Sequence, residues 1–236
     1  RLAYKTLGRL DDERSNTVVL TTPFGAHHTD IEWMVGPGRA IDPQRHFVVL
    51  MNLFGNGLSS SPSDTSSAPA GKDWPGCTIT DNVRAQERLL REVFGIERIE
   101  LACGFSMGGI QAYHWAALFP ERVRRFALFG PAGFPVHVPF KYKLVQAPVV
   151  GDILFKITGN SIFRKSLSRQ PIRDLRRKQE LKTRFLEQMR FKGFKRCVLS
   201  TLRHNPVLNL HNVYQRVGRL GHKGVLFWGT SDHVTP

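Results

Sequence analysis

The pentapeptide Gly104-Phe105-Ser106-Met107-Gly108 sets one serine between two glycines, where the apolar run of residues 99–103 gives way to a helical pattern. A serine hydroxyl attacks well only with help. A base must take its proton, an acid must orient that base, and donors must await the oxyanion that the attack creates. A sharp strand-to-helix turn would supply part of this. It would hold Ser106 in a strained backbone conformation, lift its hydroxyl clear of the sheet and set it beside the N–H groups of a helix start. Side chains two positions to either side would collide with the neighbouring strand and helix, which accounts for glycine at 104 and 108. The plainer account is a glycine-rich helix start packed in a core.

The Met107 N–H is the natural first oxyanion donor. A second should come from the turn after an earlier strand, and "TTPFGAHH" (21–28) follows the apolar "TVVL". Phe24 is the expected donor there, with Gly25 next; the alternative is that Pro23 and Gly25 simply shape a turn. An acid stands at Asp232, after the apolar "VLFW" of residues 225–228. A carboxylate at the carboxyl end of a strand can orient an imidazole and stabilise its charged form. A turn or helix-capping aspartate is the other reading.

The histidine is harder to find. In the order nucleophile, acid, base it should follow Asp232, but His233 adjoins the acid and would compete with it for direction. His114 lies eight residues beyond Ser106 on the same expected helix. That is about 12 Å along the axis, far outside the ~3 Å reach of a base. His27 and His28 fall in the oxyanion turn, where they would contact substrate or serve structure. His46, His137, His204, His211 and His222 carry no supporting pattern. The base is therefore expected beyond Pro236.

The elements that must position these groups read as an alternation. Residues 17–21, 46–51, 99–103, 126–129 and 225–228 are short and continuously apolar, as in strands covered on both faces. Residues 2–10 suggest an outer strand. A helix is predicted over 80–94, capped by Asp81, with Val83, Leu90, Val93 and Phe94 on one face and Gly95 at its end. A second runs from Ser106 to Pro120. Strands alternating with helices imply an α/β protein with a doubly wound, mostly parallel sheet. Over residues 134–221 the rhythm breaks. An amphipathic helix is predicted at 175–191, with Leu181, Phe185 and Met189 at four-residue steps, and another near 207–217. This stretch reads as a basic helical lid inserted between two core strands of a single domain spanning 1–236. The Gly/Ser/Pro-rich segment 55–76 is expected to be an irregular surface or site-lining loop.

Composition narrows the function classes. At 236 residues and 41% hydrophobic, the chain can bury a sizeable core. Its net charge of +15 is concentrated between Lys141 and Arg203, where 17 Lys/Arg face 4 Asp/Glu. No zinc-finger, RRM-like or helix-turn-helix signature accompanies that block, so nucleic acid is not an expected partner. A solvated basic face is the plain account, and peripheral contact with an anionic lipid surface is the alternative. No apolar run reaches the ~18 residues of a membrane span. The chain opens on Arg1 with no leader, as an excerpt of a longer protein would. Cys77, Cys103 and Cys197 are odd in number and widely spaced, which points to a reducing, cytoplasmic setting. Cys103 should be a buried packing residue.

Taken together, "YKTLGRLDDERSN", "WMVGPGRAID", "NLFGNGLSSSPSDT", "TITDNVRAQERLL" and "GFSMGGIQAYHWAALFPERV" resemble the homoserine O-acetyltransferase-like branch of the α/β-hydrolase superfamily over residues 4–128. The resemblance implies an α/β-hydrolase fold, Ser106 as the acylated nucleophile, Asp232 as the triad acid and a histidine further on, with no metal or organic cofactor. Those transferases usually carry a "HALTG"-like oxyanion segment. "TPFGAHH" in its place points to a hydrolytic or other acyl-transfer relative. From about residue 131, "GPAGFPVHVPFKYKLVQAPVVGD" and "VLFWGTSDHVTP" look more like capped hydrolases of the monoacylglycerol-lipase and general esterase type. Such a fold would be cut before its last strand and helix, leaving "VLFW" near an open edge and the chain poorly soluble. The expected activity is that of a serine-nucleophile hydrolase or acyltransferase, acting on a small-molecule ester or thioester through an acyl-serine. The competing expectation is a catalytically incomplete fragment, or a non-catalytic binding module, that lacks the triad histidine.

Overall fold

A strand that is apolar at every position must be covered on both faces, because successive side chains point to opposite sides. The computed structural model, which describes residues 1–64, 73–134, 140–168, 174–191, 193–205, 209–230 and 232, meets that requirement. Strands β1 (Tyr4–Leu7), β2 (Thr17–Thr21), β3 (Phe47–Met51), β4 (Leu101–Phe105), β5 (Arg125–Phe129) and β6 (Lys223–Phe227) form one sheet in the order β1-β3-β2-β4-β5-β6. β1 runs antiparallel to β3, and every other pairing is parallel. Val19, Val49, Met51, Ala102 and Leu128 face one core, and Val18, Leu20, Val48, Leu50 and Cys103 face the other. The expected α/β architecture with a mostly parallel sheet is the observed one. β6 departs from its predicted burial: it is an outer strand paired with β5 alone, and all five of its residues are exposed.

Helix α1 (Ile79–Phe94) begins one residue before its predicted start, and its cap is Thr78 rather than Asp81. The two residues form a capping box. The Asp81 N–H donates to Thr78 Oγ1 at 3.1 Å and the Thr78 N–H to the Asp81 carboxylate at 2.9 Å. Gly95, at φ 62°, ends the helix as expected. The buried face runs Ile79, Val83, Gln86, Leu90, whereas Val93 points outward with 59% of its surface exposed. Helix α2 (Met107–Leu118) is buried from Met107 through Ala117. A helix so enclosed has to be apolar nearly all round.

The chain divides into two compact units. Residues 62–76 and 137–204 form the second, with helices α3 (Phe140–Gln146), α4 (Val150–Ser168), α5 (Leu175–Gln188) and α6 (Phe194–His204). Its small core holds Phe155, Val198 and Leu199. Phe185 of α5 meets Phe163 at 5.6 Å and Phe194 at 5.9 Å between ring centroids. Arg203 ties the end of α6 back to the α3–α4 junction through Asp152 at 2.9 Å and the Gln146 and Ala147 carbonyls at 3.0 and 2.9 Å. Helix α7 (His211–Arg219) belongs to the first unit, with residues 1–61, 77–136 and 205–236. Among the described residues, no helix is long and apolar enough to cross a membrane.

Candidate active site

Strand β4 hands over directly to Ser106, whose φ of 47° and ψ of −117° lie where a residue with a Cβ rarely goes. The surrounding backbone holds it there. The Ser106 N–H donates to the Phe129 carbonyl at 3.0 Å, and its own carbonyl accepts from Ile110 and Ala132 at 3.2 and 3.3 Å. The glycines are sterically required. A Cβ at Gly104 would fall 2.3 Å from the Gly108 carbonyl carbon and 2.6 Å from Thr21 Oγ1. One at Gly108 would fall 2.4 Å from the Thr21 carbonyl oxygen. Ser106 itself is half-buried and opens onto a cleft, so it is not a residue packed inside a core.

The cleft is open, about 510 Å³ in volume, and is lined by Ser106, Asp232, Gly130, Gly229 and the aromatic rings of Phe105, Phe129, Phe227 and Trp228. Strand register explains why the serine and the aspartate meet there. Phe105 pairs with Phe129, and Phe129 with Phe227, at the carboxyl ends of β4, β5 and β6. Their rings follow that ladder at 4.9 and 4.8 Å. Asp232 lies in the turn after β6, its N–H donating to the Gly229 carbonyl at 3.1 Å. The segment after β5 is anchored too: the Leu210 N–H donates to the Gly133 carbonyl at 2.6 Å and the Tyr214 hydroxyl to the Ala132 carbonyl at 2.9 Å.

The two expected oxyanion donors sit on adjoining elements, although neither Met107 nor Phe24 lines the cleft. Met107 is the first residue of α2, so its N–H has no acceptor within the helix. Phe24 follows the end of β2, where Thr21 pairs with Gly104. Thr21 Oγ1 donates to the Gly108 carbonyl at 2.7 Å, fastening the end of β2 to the start of α2. Ala26 N–H donates to the Pro23 carbonyl at 3.2 Å and closes the turn. Behind it runs a chain of buried amides. Gln111 Nε2 donates to the Thr22 carbonyl at 2.9 Å, Gln86 Nε2 to Gln111 Oε1 at 2.7 Å, and Trp115 Nε1 to Gln86 Oε1 at 2.9 Å. Sequence reading passed over these residues. The signal was there in Gln86, a polar residue on the apolar face between Val83 and Leu90, since a buried amide must find partners.

The histidines are mostly engaged elsewhere. His114 is buried, its Nδ1–H donates to the Ile110 carbonyl at 3.0 Å, and burial pulls its pKa below the ordinary imidazole value. His27 Nε2 donates to the Asn56 carbonyl at 2.9 Å, and His28 Nδ1 accepts from Asn52 at 3.1 Å. The turn histidines therefore hold the loop after β3. His46, His204 and His211 bond within their own segments. Among the described residues no histidine lines the cleft; His137 and His233 lie outside them. Cys103 is buried as expected, and burial pushes its thiol up to about 12.

A family profile described as alpha/beta hydrolase fold matches residues 25–236. A probable esterase of Corynebacterium glutamicum is 40% identical over 147 residues, which cover 61% of this chain and 42% of the esterase. A homoserine O-acetyltransferase of Thermobifida fusca is 43% identical over 145 residues, covering 54% of this chain and 38% of that protein. An ethyl acetate hydrolase of Pseudomonas veronii is 40% identical over 127 residues, covering 53% and 36%. The chain thus spans about two fifths of the length of these curated relatives. Among solved structures, an acetylester hydrolase from C. glutamicum superposes with a TM-score of 0.67 at 25% identity, covering 100% of this chain and 76% of that one. MGS-M2, from a deep-sea metagenome library, reaches 0.73 at 15% identity over 100% of this chain and 78% of its own, a likeness of fold alone. The parallel sheet, the serine held at a positive φ after β4 and the match over residues 25–236 agree: the chain belongs to the alpha/beta hydrolase fold family.

Proposed function

We propose that the chain is the nucleophile-bearing part of a serine acyl hydrolase or acyltransferase that acts on small-molecule esters or thioesters. Ser106 Oγ attacks the carbonyl carbon while its proton passes to a histidine oriented by Asp232. The oxyanion accepts from the Met107 and Phe24 N–H groups. Collapse of the tetrahedral intermediate expels the alcohol or thiol, which takes the proton from the histidine, and leaves an acyl-serine. Water or an acceptor alcohol then takes the acyl group by the reverse sequence. In this proposal the histidine is carried by the longer protein beyond residue 236. The cleft's aromatic lining suits an apolar acyl or alkoxy group, and water as acceptor fits the absence of the transferase-type oxyanion segment. Three cysteines, odd in number and widely spaced at 77, 103 and 197, suit a reducing, cytoplasmic setting.

The observation that carries this reading is Ser106, strained at φ 47° and open to the same cleft as Asp232. A fluorophosphonate probe tests it. The expected result is a single adduct on the Ser106 peptide of the longer protein, lost in Ser106→Ala. An adduct on another residue, or none, overturns the reading. The absence of a cleft-lining histidine among the described residues favours a second reading, an acyl-binding module without turnover. That reading predicts ester binding without labelling in either length of chain.

A further inference from the structure

The relay from Trp115 through Gln86 and Gln111 to the Thr22 carbonyl lies wholly in the interior. Trp115, Gln86, Gln111 and Thr22 are each 0% exposed. Each link is of ordinary hydrogen-bond length, from 2.7 to 2.9 Å. We infer that Gln111 is a positioning residue for the reaction: by holding the Thr22 carbonyl it aims the Phe24 N–H at the oxyanion. This rests on the acyl-transfer reading above.

The inference follows from the covalent geometry of three residues. A hydrogen bond to the Thr22 carbonyl fixes the plane of the Thr22–Pro23 peptide, since that unit is rigid. The ring then locks the Pro23 φ. One torsion, the Pro23 ψ, is left to decide where the Phe24 N–H points. That torsion is pinned as well, because the Pro23 carbonyl accepts from the Ala26 N–H at 3.2 Å. The Pro23 carbonyl and the Phe24 N–H share one peptide plane and point in opposite directions. Without Gln111 the first of these restraints is lost. The end of β2 is otherwise held by Thr21 Oγ1 on the Gly108 carbonyl and Thr22 Oγ1 on the Met51 carbonyl at 3.2 Å, and neither bond fixes the Thr22 carbonyl.

Gln111 also stands on the same helix as Ser106 and Met107. The nucleophile, one donor and the clamp on the other donor therefore move as one body. Gln86 and Trp115 keep the Gln111 amide from turning over, because its oxygen is occupied by the Gln86 donor and only its nitrogen can face Thr22.

The test compares Gln111→Met, close in volume but without a donor, with the unsubstituted longer protein on an aryl acetate and its thiono analogue. Sulfur is a weak acceptor, so a well-aimed oxyanion donor favours the oxygen ester. Gln111→Met should lower kcat on the oxygen ester by at least about tenfold while KM stays within about twofold, and the oxygen-to-sulfur rate ratio should fall with it. Ile96→Val, a core change elsewhere in this unit, should leave that ratio alone, because partial unfolding lowers both rates equally. If Gln111→Met does not fold, Gln86→Met carries the test. It frees the Gln111 amide without removing its donor and should lower the ratio by a smaller amount. An active protein whose ratio is unchanged in the variants overturns the role of Gln111 and leaves the acyl-transfer reading standing. An unsubstituted protein that turns over neither substrate overturns both.

Discussion

Gly108→Ala adds one methyl where the backbones of two elements meet. Its Cβ would lie 2.4 Å from the Thr21 carbonyl oxygen and 3.2 Å from the carbonyl carbons of Thr21 and Thr22. Real Cβ contacts do not fall below 3.0 Å, so the start of α2 and the end of β2 must separate by roughly 0.6 Å. No side chain can swing aside to relieve this, because every close atom is backbone. β2 is clamped between β3 and β4, and α2 is enclosed along its length. The overpacking should cost about 1–3 kcal/mol, seen as a fall in melting temperature of about 2–4 °C per kcal/mol for a chain of this size. The chemistry should suffer more. On the proposed mechanism, an oxyanion donor at the usual distance of about 2.9 Å would be carried to about 3.5 Å, where it no longer bonds. Losing one such donor costs about 10²–10³ in kcat. The assay is aryl acetate hydrolysis by the longer protein, with Ser106→Ala as the floor and a melting curve beside it. A Gly108→Ala protein that keeps its rate within about twofold of the parent would refute the donor geometry; one that also keeps its melting temperature would refute the steric reading of the elbow.

Three further outcomes are expected. Gly218→Ala, inside α7 with no heavy atom within 4 Å of the added Cβ, should stabilise the protein by about 0.5–1 kcal/mol, and a lower denaturant midpoint would contradict the helical assignment there. The buried His114 has a folded pKa held below its unfolded value of 6.5, so the unfolded chain binds that proton more readily. Its stability contribution is therefore complete above pH 6.5 and declines as pH falls below it. The urea midpoint should drop over that window in the parent and less in His114→Gln, and equal slopes would remove His114 as the cause. Iodoacetamide at about pH 8 should modify Cys77 and Cys197 well before Cys103, whose thiol is buried with its pKa pushed up to about 12. Early labelling of Cys103 in mapped peptides would mean that β4 opens.

The parts of this molecule that sequence reading found are those that one residue's own requirement determines. Val18, Val19 and Leu20 have no polar alternate among them, so a strand covered twice is the consistent solution, and the prediction coincides with Thr17–Thr21. Gly104 and Gly108 announce themselves because any side chain would strike backbone. What stayed hidden is reciprocal. Thr78 and Asp81 both bear oxygen and stand three residues apart, so the box is symmetric on paper, and the chain's direction into the helix decides which one caps. Val93 is expected on the apolar face of α1, but it stands to the side of the row Ile79, Val83, Gln86 and Leu90, which Phe94 continues against Tyr4 and Phe47 of the sheet, and it is 59% exposed. β6 is apolar like the other strands yet exposed, because burial depends on what covers the two faces of a strand, which its own residues do not state.

The candidate site divides the same way. Ser106 and Met107 follow from the elbow alone, and Asp232 from its place after an apolar run. That Ser106 and Asp232 meet in one cleft depends on β4, β5 and β6 lying side by side, with Phe105, Phe129 and Phe227 in register. Strand order is a property of the sheet, and no single strand carries it. The amide relay is the extreme case. Gln86 shows in the sequence only as a polar residue on an apolar face; its partners appear when α1 and α2 pack, Gln86 donating to Gln111 and accepting from Trp115 while Gln111 holds the Thr22 carbonyl. A polar side chain left on an apolar helical face is thus better read as half of a pair whose other half must be sought on a neighbouring element, because burying it alone would cost roughly 1–3 kcal/mol.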